Sequence, residues 1–206
     1  MYRKIAMVLT VVFQPLIVPS IVIVLLFYVI PESTSVPKEA RWSLLLLIMV
    51  TTLLIPMLSV IGMRMTTLIP SMHMITKRER IVPFSMVSLF YLITSCFFYF
   101  KLNVDSLLVY TLIVITACVM ALTIISLFWR ISAHMTGLAG LLAIIIVLGL
   151  KFTTISLLYP LIASVLLCGT VSSARLYLDA HKPSEVLGGF VLGFAVCFIS
   201  LYYFLF

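Results

Sequence analysis

Seven stretches of this chain are apolar runs long enough, or nearly so, to cross a bilayer as helix: residues 5–30, 42–63, 82–100, 106–129, 135–150, 152–170 and 183–206. A span takes about 20 apolar residues at roughly 1.5 Å of rise each. Only 9% of the 206 residues are charged, against 64% hydrophobic. No soluble domain of this size covers so much apolar surface with so little polar residue. The expected fold is all-α: a polytopic transmembrane helical bundle of six to seven spans, one integral membrane domain over residues 1–206. The expected location is the cell membrane, as a multi-pass protein.

The first run opens on Arg3-Lys4 and imitates a signal peptide. It continues to about Ile30 without a small-residue cleavage pattern, so it reads as a retained span. Pro15 and Pro19 should kink or break that helix. The fifth run is the shortest, and reaches about 28 Å if helix begins near Ser132. Thr51, Thr52, Ser88, Thr116 and Ser164 are expected at contacts between helices. Gly137, Gly140, Gly189 and Gly193 have the small-residue spacing of closely packed helices. Cys96, Cys118, Cys168 and Cys197 each lie in an apolar run and are expected to pack.

The formal charge is +7, from 13 Lys+Arg against 6 Asp+Glu. Loop bias and headgroup contact account for such an excess, and so does an anionic substrate. No hydrophilic basic face is large enough to follow a duplex, so nucleic acid is not an expected partner. With the N-terminus on side one, the span count returns the chain there at 64–80, 130–134 and 171–185. All three histidines, His73, His134 and His181, then fall on one membrane face. Side one holds nine Lys and Arg and side two holds four. Without Lys77, Arg78, Arg80 and Arg175 the count is five to four, which decides no orientation.

Among the densest clusters of ionisable residues is Ala174-Arg175-Leu176-Tyr177-Leu178-Asp179-Ala180-His181-Lys182-Pro183-Ser184-Glu185. Ionisable groups beside a span are expensive and by default functional. Pro183 suits the first turn of a helix, which puts His181 just before it and Glu185 one turn in. A helix N-terminus there favours a phosphate. Glu185 could accept from one imidazole nitrogen of His181, fixing the tautomer so that the other nitrogen can attack. Arg175 offers a planar fork for two phosphoryl oxygens.

Arg175, His181 and the carboxylate at 185 resemble the third signature of the type-2 phosphatidic acid phosphatase and vanadium haloperoxidase superfamily: Ser-Arg, five residues, His, three residues, Asp. Ala174 stands for the Ser and Glu185 for the Asp. Ser132-Ala133-His134 is similar to the family's Ser-Gly-His, with Ala133 for Gly. The first signature, Lys, six residues, Arg-Pro, is not met: Lys77 is followed by Arg78, Arg80 and Pro83, and Phe84 stands where Arg is expected. The resemblance runs from Lys77 to Glu185, within a motif-bearing core of about 77–206.

The resemblance implies a membrane lipid phosphatase of phosphatidate, phosphatidylglycerophosphate or polyprenyl diphosphate class, working through a phosphohistidine. His181 would be nucleophile, Glu185 its orienter and His134 the acid on the leaving oxygen. Arg175, Arg80, Arg78, Lys77 and Ser132 would bind the phosphate. It implies neither metal nor cofactor; the expected partners are a lipid phosphate substrate and the bilayer, and the oligomeric state stays open. Two other classes fit parts of the pattern. One is a catalytically impaired lipid-phosphate binder of the same fold. The other is a small transporter, which should carry ionisable groups near mid-span; here they gather at span ends.

Overall fold

A computed structural model describes residues 2–66, 77–102 and 104–206, with the side chains of 77–79 outside the description. These residues form nine α-helices and no strand. In chain order the helices are α1 (Tyr2–Val12), α2 (Val18–Val24), α3 (Lys38–Met49), α4 (Ile55–Met65), α5 (Lys77–Phe97), α6 (Ser106–Ser126), α7 (Ala133–Lys151), α8 (Leu158–Tyr177) and α9 (Pro183–Leu205). Taken with their π-helical and 3-10 continuations, they give seven helical stretches long and apolar enough to cross a membrane, those of a multi-pass membrane protein.

Proline decides where the first span breaks. Pro15 cannot donate a backbone N–H, so α1 ends at Val12 and a 3-10 turn, Pro15–Ile17, leads into α2. The helices fall into two compact units, Met1–Val18 with Trp129–Phe206 and Pro19–Phe128.

Within Pro19–Phe128, buried Arg41 ties the first interhelical loop together. Its guanidinium donates to the carbonyls of Phe27, Pro31 and Val36. Asp105 caps α6 by accepting from the N–H groups of Leu107 and Leu108 at 3.0 and 3.2 Å. The same carboxylate accepts from the N–H and hydroxyl of Ser35, both at 3.0 Å, so the two loops meet. Helices α5 and α6 are joined by hydroxyl pairs, Ser88 with Thr123 and Ser95 with Thr116, each at 2.7 Å. Thr52 and Ser164 are buried, and with Thr51 they bond within their own spans. Each bonds a carbonyl of its own helix, at Leu47, Ile48 and Leu161, because a short hydroxyl side chain reaches back one turn more easily than across to a neighbour. Cys118, Cys168 and Cys197 are buried, whereas Cys96 faces outward.

In the other unit α7 is the axis, and its span is the most buried of the seven. It runs parallel to α9. The Ser132 N–H donates to the Glu185 carbonyl at one end, and Lys151 Nζ donates to the Leu205 carbonyl at the other, at 2.6 Å. Between these ends the two backbones touch. A β-carbon on Gly189 would stand 2.5 Å from the Ser132 carbonyl oxygen, and one on Gly193 would overlap the Thr136 carbonyl. Further along, Cys197 Sγ fills the space beside Gly140. Helix α8 packs against α7 and α1 and only lightly against α9. Met135, Leu138 and Leu142 of α7 meet Cys168, Val171 and Val186 in the core of this unit.

The sixth span departs from the sequence reading at both ends, running from Leu158 to Tyr177 rather than over 152–170. Thr153, Thr154 and Ser156 lie in the turn that precedes it, and Pro160 sits in its first turn, where a missing N–H costs nothing. At the other end Val171–Tyr177 contains no helix breaker, so Arg175 lies in the last helical turn.

Candidate functional site

The end of α8 sets the position of everything after it. The N–H of Asp179 donates to the Leu176 carbonyl at 3.0 Å and that of Ala180 to the Arg175 carbonyl at 3.1 Å. Asp179 has φ 51°. These are the two bonds and the left-handed residue of a Schellman stop, with Asp in the position that Gly usually holds. The chain then turns through His181 and Lys182 into α9, with Pro183 at the first helical position.

That turn brings His181 against Glu185. Imidazole Nδ1 lies 2.9 Å from carboxylate Oε2, and both residues are buried, 7% and 8% exposed. The same Oε2 accepts the backbone N–H of Lys182 at 3.2 Å, the half of a capping box in which the acid reaches back to the helix start. One carboxylate oxygen therefore holds both the imidazole and the N-terminus of α9. With Nδ1 as the N–H that Glu185 accepts, the lone pair of a neutral His181 ring is on Nε2.

His181 and Glu185 line an open cavity of about 420 Å³ between the start of α9 and the segment preceding α7. Arg130, Asp179 and Lys182 supply its other charges, and Leu176 and Pro183 its apolar edge. Arg130 comes from the link between α6 and α7 and donates through Nη2 to the Ala180 carbonyl at 3.2 Å. Sequence motifs did not single it out. Its only sequence signal is a position two residues before the Ser-Ala-His run.

The other sequence candidates lie as follows. Ser132 is fully buried at the N-cap of α7; its N–H goes to Glu185 and its carbonyl accepts from the N–H and hydroxyl of Thr136, both at 3.0 Å. Its own hydroxyl has no hydrogen-bond partner among the described residues. His134 opens α7 at the same end of the unit, but its Nε2 lies 2.9 Å from the Thr10 carbonyl in the last turn of α1, and it does not line the cavity. Arg175 also stands outside the cavity lining; its Nε is buried with no hydrogen-bond partner among the described residues. Arg80 belongs to the other helical unit, buried, with its guanidinium 5.3 Å from the centre of the Phe84 ring. His73 and the side chains of Lys77 and Arg78 lie outside the described residues.

A second, mainly apolar groove of about 340 Å³ opens beside the cavity and shares Leu176 and Pro183 with it. Cys168, Gly169 and Ser172 of α8 form one side of it, and Val186, Leu187 and Phe190 of α9 the other.

No curated protein and no solved structure matches this chain. The sequence model of the PAP2 superfamily does match, over residues 125–206. That stretch contains the Arg130–His134 segment, α7, α8, the Schellman stop, the His181–Glu185 pair and α9. Residues 125–206 are a PAP2 superfamily domain.

Proposed function

We propose that the protein is an integral membrane lipid phosphate or diphosphate phosphatase of the cell membrane, working through a phosphohistidine and without metal. The observation that carries this reading is the buried His181–Glu185 pair, 2.9 Å apart at the N-terminus of α9, in a cavity that Arg130 and Lys182 also line. In the proposed reaction His181 Nε2 attacks phosphorus, and a P–N bond forms as the bond to the leaving oxygen breaks. Glu185 accepts a hydrogen bond from Nδ1–H throughout and stabilises the imidazolium character that develops. Water then attacks the phosphohistidine, releasing phosphate and restoring the ring. Cationic groups and the helix N-terminus offset the charge that spreads over the phosphoryl oxygens.

His134 is the proposed acid, giving a proton to the leaving oxygen and taking one from water in the second step. Because Nε2–H faces the Thr10 carbonyl, the transferable proton is the Nδ1 proton of the imidazolium. Arg175 and Ser132 are proposed around the phosphate. The apolar groove that shares Leu176 and Pro183 with the cavity supports a lipid substrate, whose chain can lie there while its phosphate reaches His181.

A specific observation favours a second reading. The bond from His134 to Thr10, together with the unmet first signature, suits a lipid-phosphate binder of the same fold that no longer turns over. A phosphate-release assay on purified protein separates the two. Phosphatidate, phosphatidylglycerophosphate and polyprenyl diphosphate are offered with and without chelator. Release that survives chelation and disappears in His181→Ala supports the enzyme. No release from any of the three by folded protein leaves the binder.

A further inference from the structure

The cavity around His181 has few cations. Lys182 is exposed, the Arg175 guanidinium is not in the lining, and two carboxylates, Asp179 and Glu185, face the same space. Glu185 is engaged by His181 and makes no ion pair with Arg130 among the described residues. Among the described residues Arg130 is the one arginine in the lining. One of its five N–H donors is used on the Ala180 carbonyl, which anchors the guanidinium next to His181. An arginine anchored at one corner of its fork, in the lining of a cavity that the His181 imidazole shares, can turn its other guanidinium donors to an oxyanion.

We infer that Arg130 is a phosphoryl-binding residue of this cavity, supplying from the link before α7 the guanidinium that the unmet Lys–Arg-Pro signature would have provided. The inference rests on the reading of the cavity as a phosphoryl site. It assigns Arg130 two contacts at once: Nη2 to Ala180, and the remaining donors to oxygens of the phosphoryl group. Lysine cannot reproduce both, because an ammonium lacks the planar fork.

Orthovanadate, a phosphate-shaped anion, tests this without relying on turnover. Its affinity is measured by thermal stabilisation of purified wild type, Arg130→Lys and Arg130→Met, alongside KM and kcat for phosphate release. Expected is protection of wild type, about tenfold or more weaker in Arg130→Met and intermediate in Arg130→Lys. KM should rise more than kcat falls. An arginine that only pins Ala180 would lower the melting temperature and leave vanadate affinity untouched, and that result overturns the inference. If Arg130→Met does not fold, Arg130→Lys decides: wild-type vanadate affinity in that variant overturns it. Release by wild type with KM and vanadate affinity unchanged in the variants removes Arg130 alone. Arg130-dependent vanadate binding without release from any lipid keeps the inference and removes the phosphatase. A wild type that neither binds vanadate nor releases phosphate removes both.

Discussion

The backbone N–H of Ser132 donates to the carbonyl of Glu185 at 2.9 Å, which fastens the first residues of α7 to the first turn of α9. Two segments separated by a whole helical hairpin thus share one structural joint. Any change that parts α7 from α9 should disturb Glu185, and through it the imidazole of His181.

Gly193→Ala is the sharpest way to part them. Its β-carbon would overlap the Thr136 carbonyl, which is backbone and cannot swing aside. Overpacking commonly costs about 1–3 kcal/mol, and this variant should lie at or above the upper end. Gly169→Ala is the matched control: its β-carbon meets nothing within 4 Å, and Ala is the better helix former by roughly 0.5–1 kcal/mol. Thermal melts in one detergent should show Gly193→Ala well below wild type and Gly169→Ala at or above it.

Substitutions in the His181–Glu185 pair should separate covalent from electrostatic roles. His181→Ala removes the attacking nitrogen and should abolish phosphate release. Glu185→Gln keeps size and an acceptor oxygen but loses the charge opposite the imidazolium, so kcat should fall about 10²–10⁴-fold. Glu185→Asp, which restores the carboxylate of the family signature, should hold or raise the rate. A Gln variant with wild-type kcat would remove the orienting role of Glu185.

Gly169→Trp tests the groove beside the cavity. The space at this α8 position is open, so the indole should fill the groove without displacing backbone. KM for long-chain lipid phosphates should rise about tenfold, roughly the loss of two buried methylenes. KM for a short-chain or water-soluble phosphate should not move. Equal changes for both would place the lipid chain elsewhere.

The seven-span count predicts that residues 31–41 and 101–105 face the side of the membrane opposite the His181 turn. Both Ser35 and Lys182 are exposed. In a background with Cys96 replaced by Ser, impermeant thiol reagents should reach Ser35→Cys and Lys182→Cys from opposite sides of sealed vesicles. Labelling of both from one side would refute the count.

The spans could be read in the sequence because apolar runs of that length have one stable form in a bilayer, and the start of α9 because Pro183 has few other places to sit in a helix. The His181–Glu185 bond was legible for the same local reason: residues four apart across a helix start face each other. What escaped was non-local. Arg130 meets Ala180 across 50 residues and His134 meets Thr10 across 124, and no pattern in a single sequence pairs them. The end of α8 escaped because the apolar run was closed at residue 170, whereas burial of Val171 and Ala174 accompanies helix as far as Tyr177.

The walls of the cavity are not equally firm. Its α9 side is clamped to α7 at Ser132–Glu185, along Gly189 and Gly193, and again at Lys151–Leu205. Helix α8 has little hold on α9, and the apolar groove lies along that weakly joined seam. The cavity therefore has one stiff jamb and one yielding one. For the lipid substrate proposed above, the α8–α9 seam would be the side of entry, with the chain still in the hydrocarbon, while the stiff side keeps His181 and Glu185 in register.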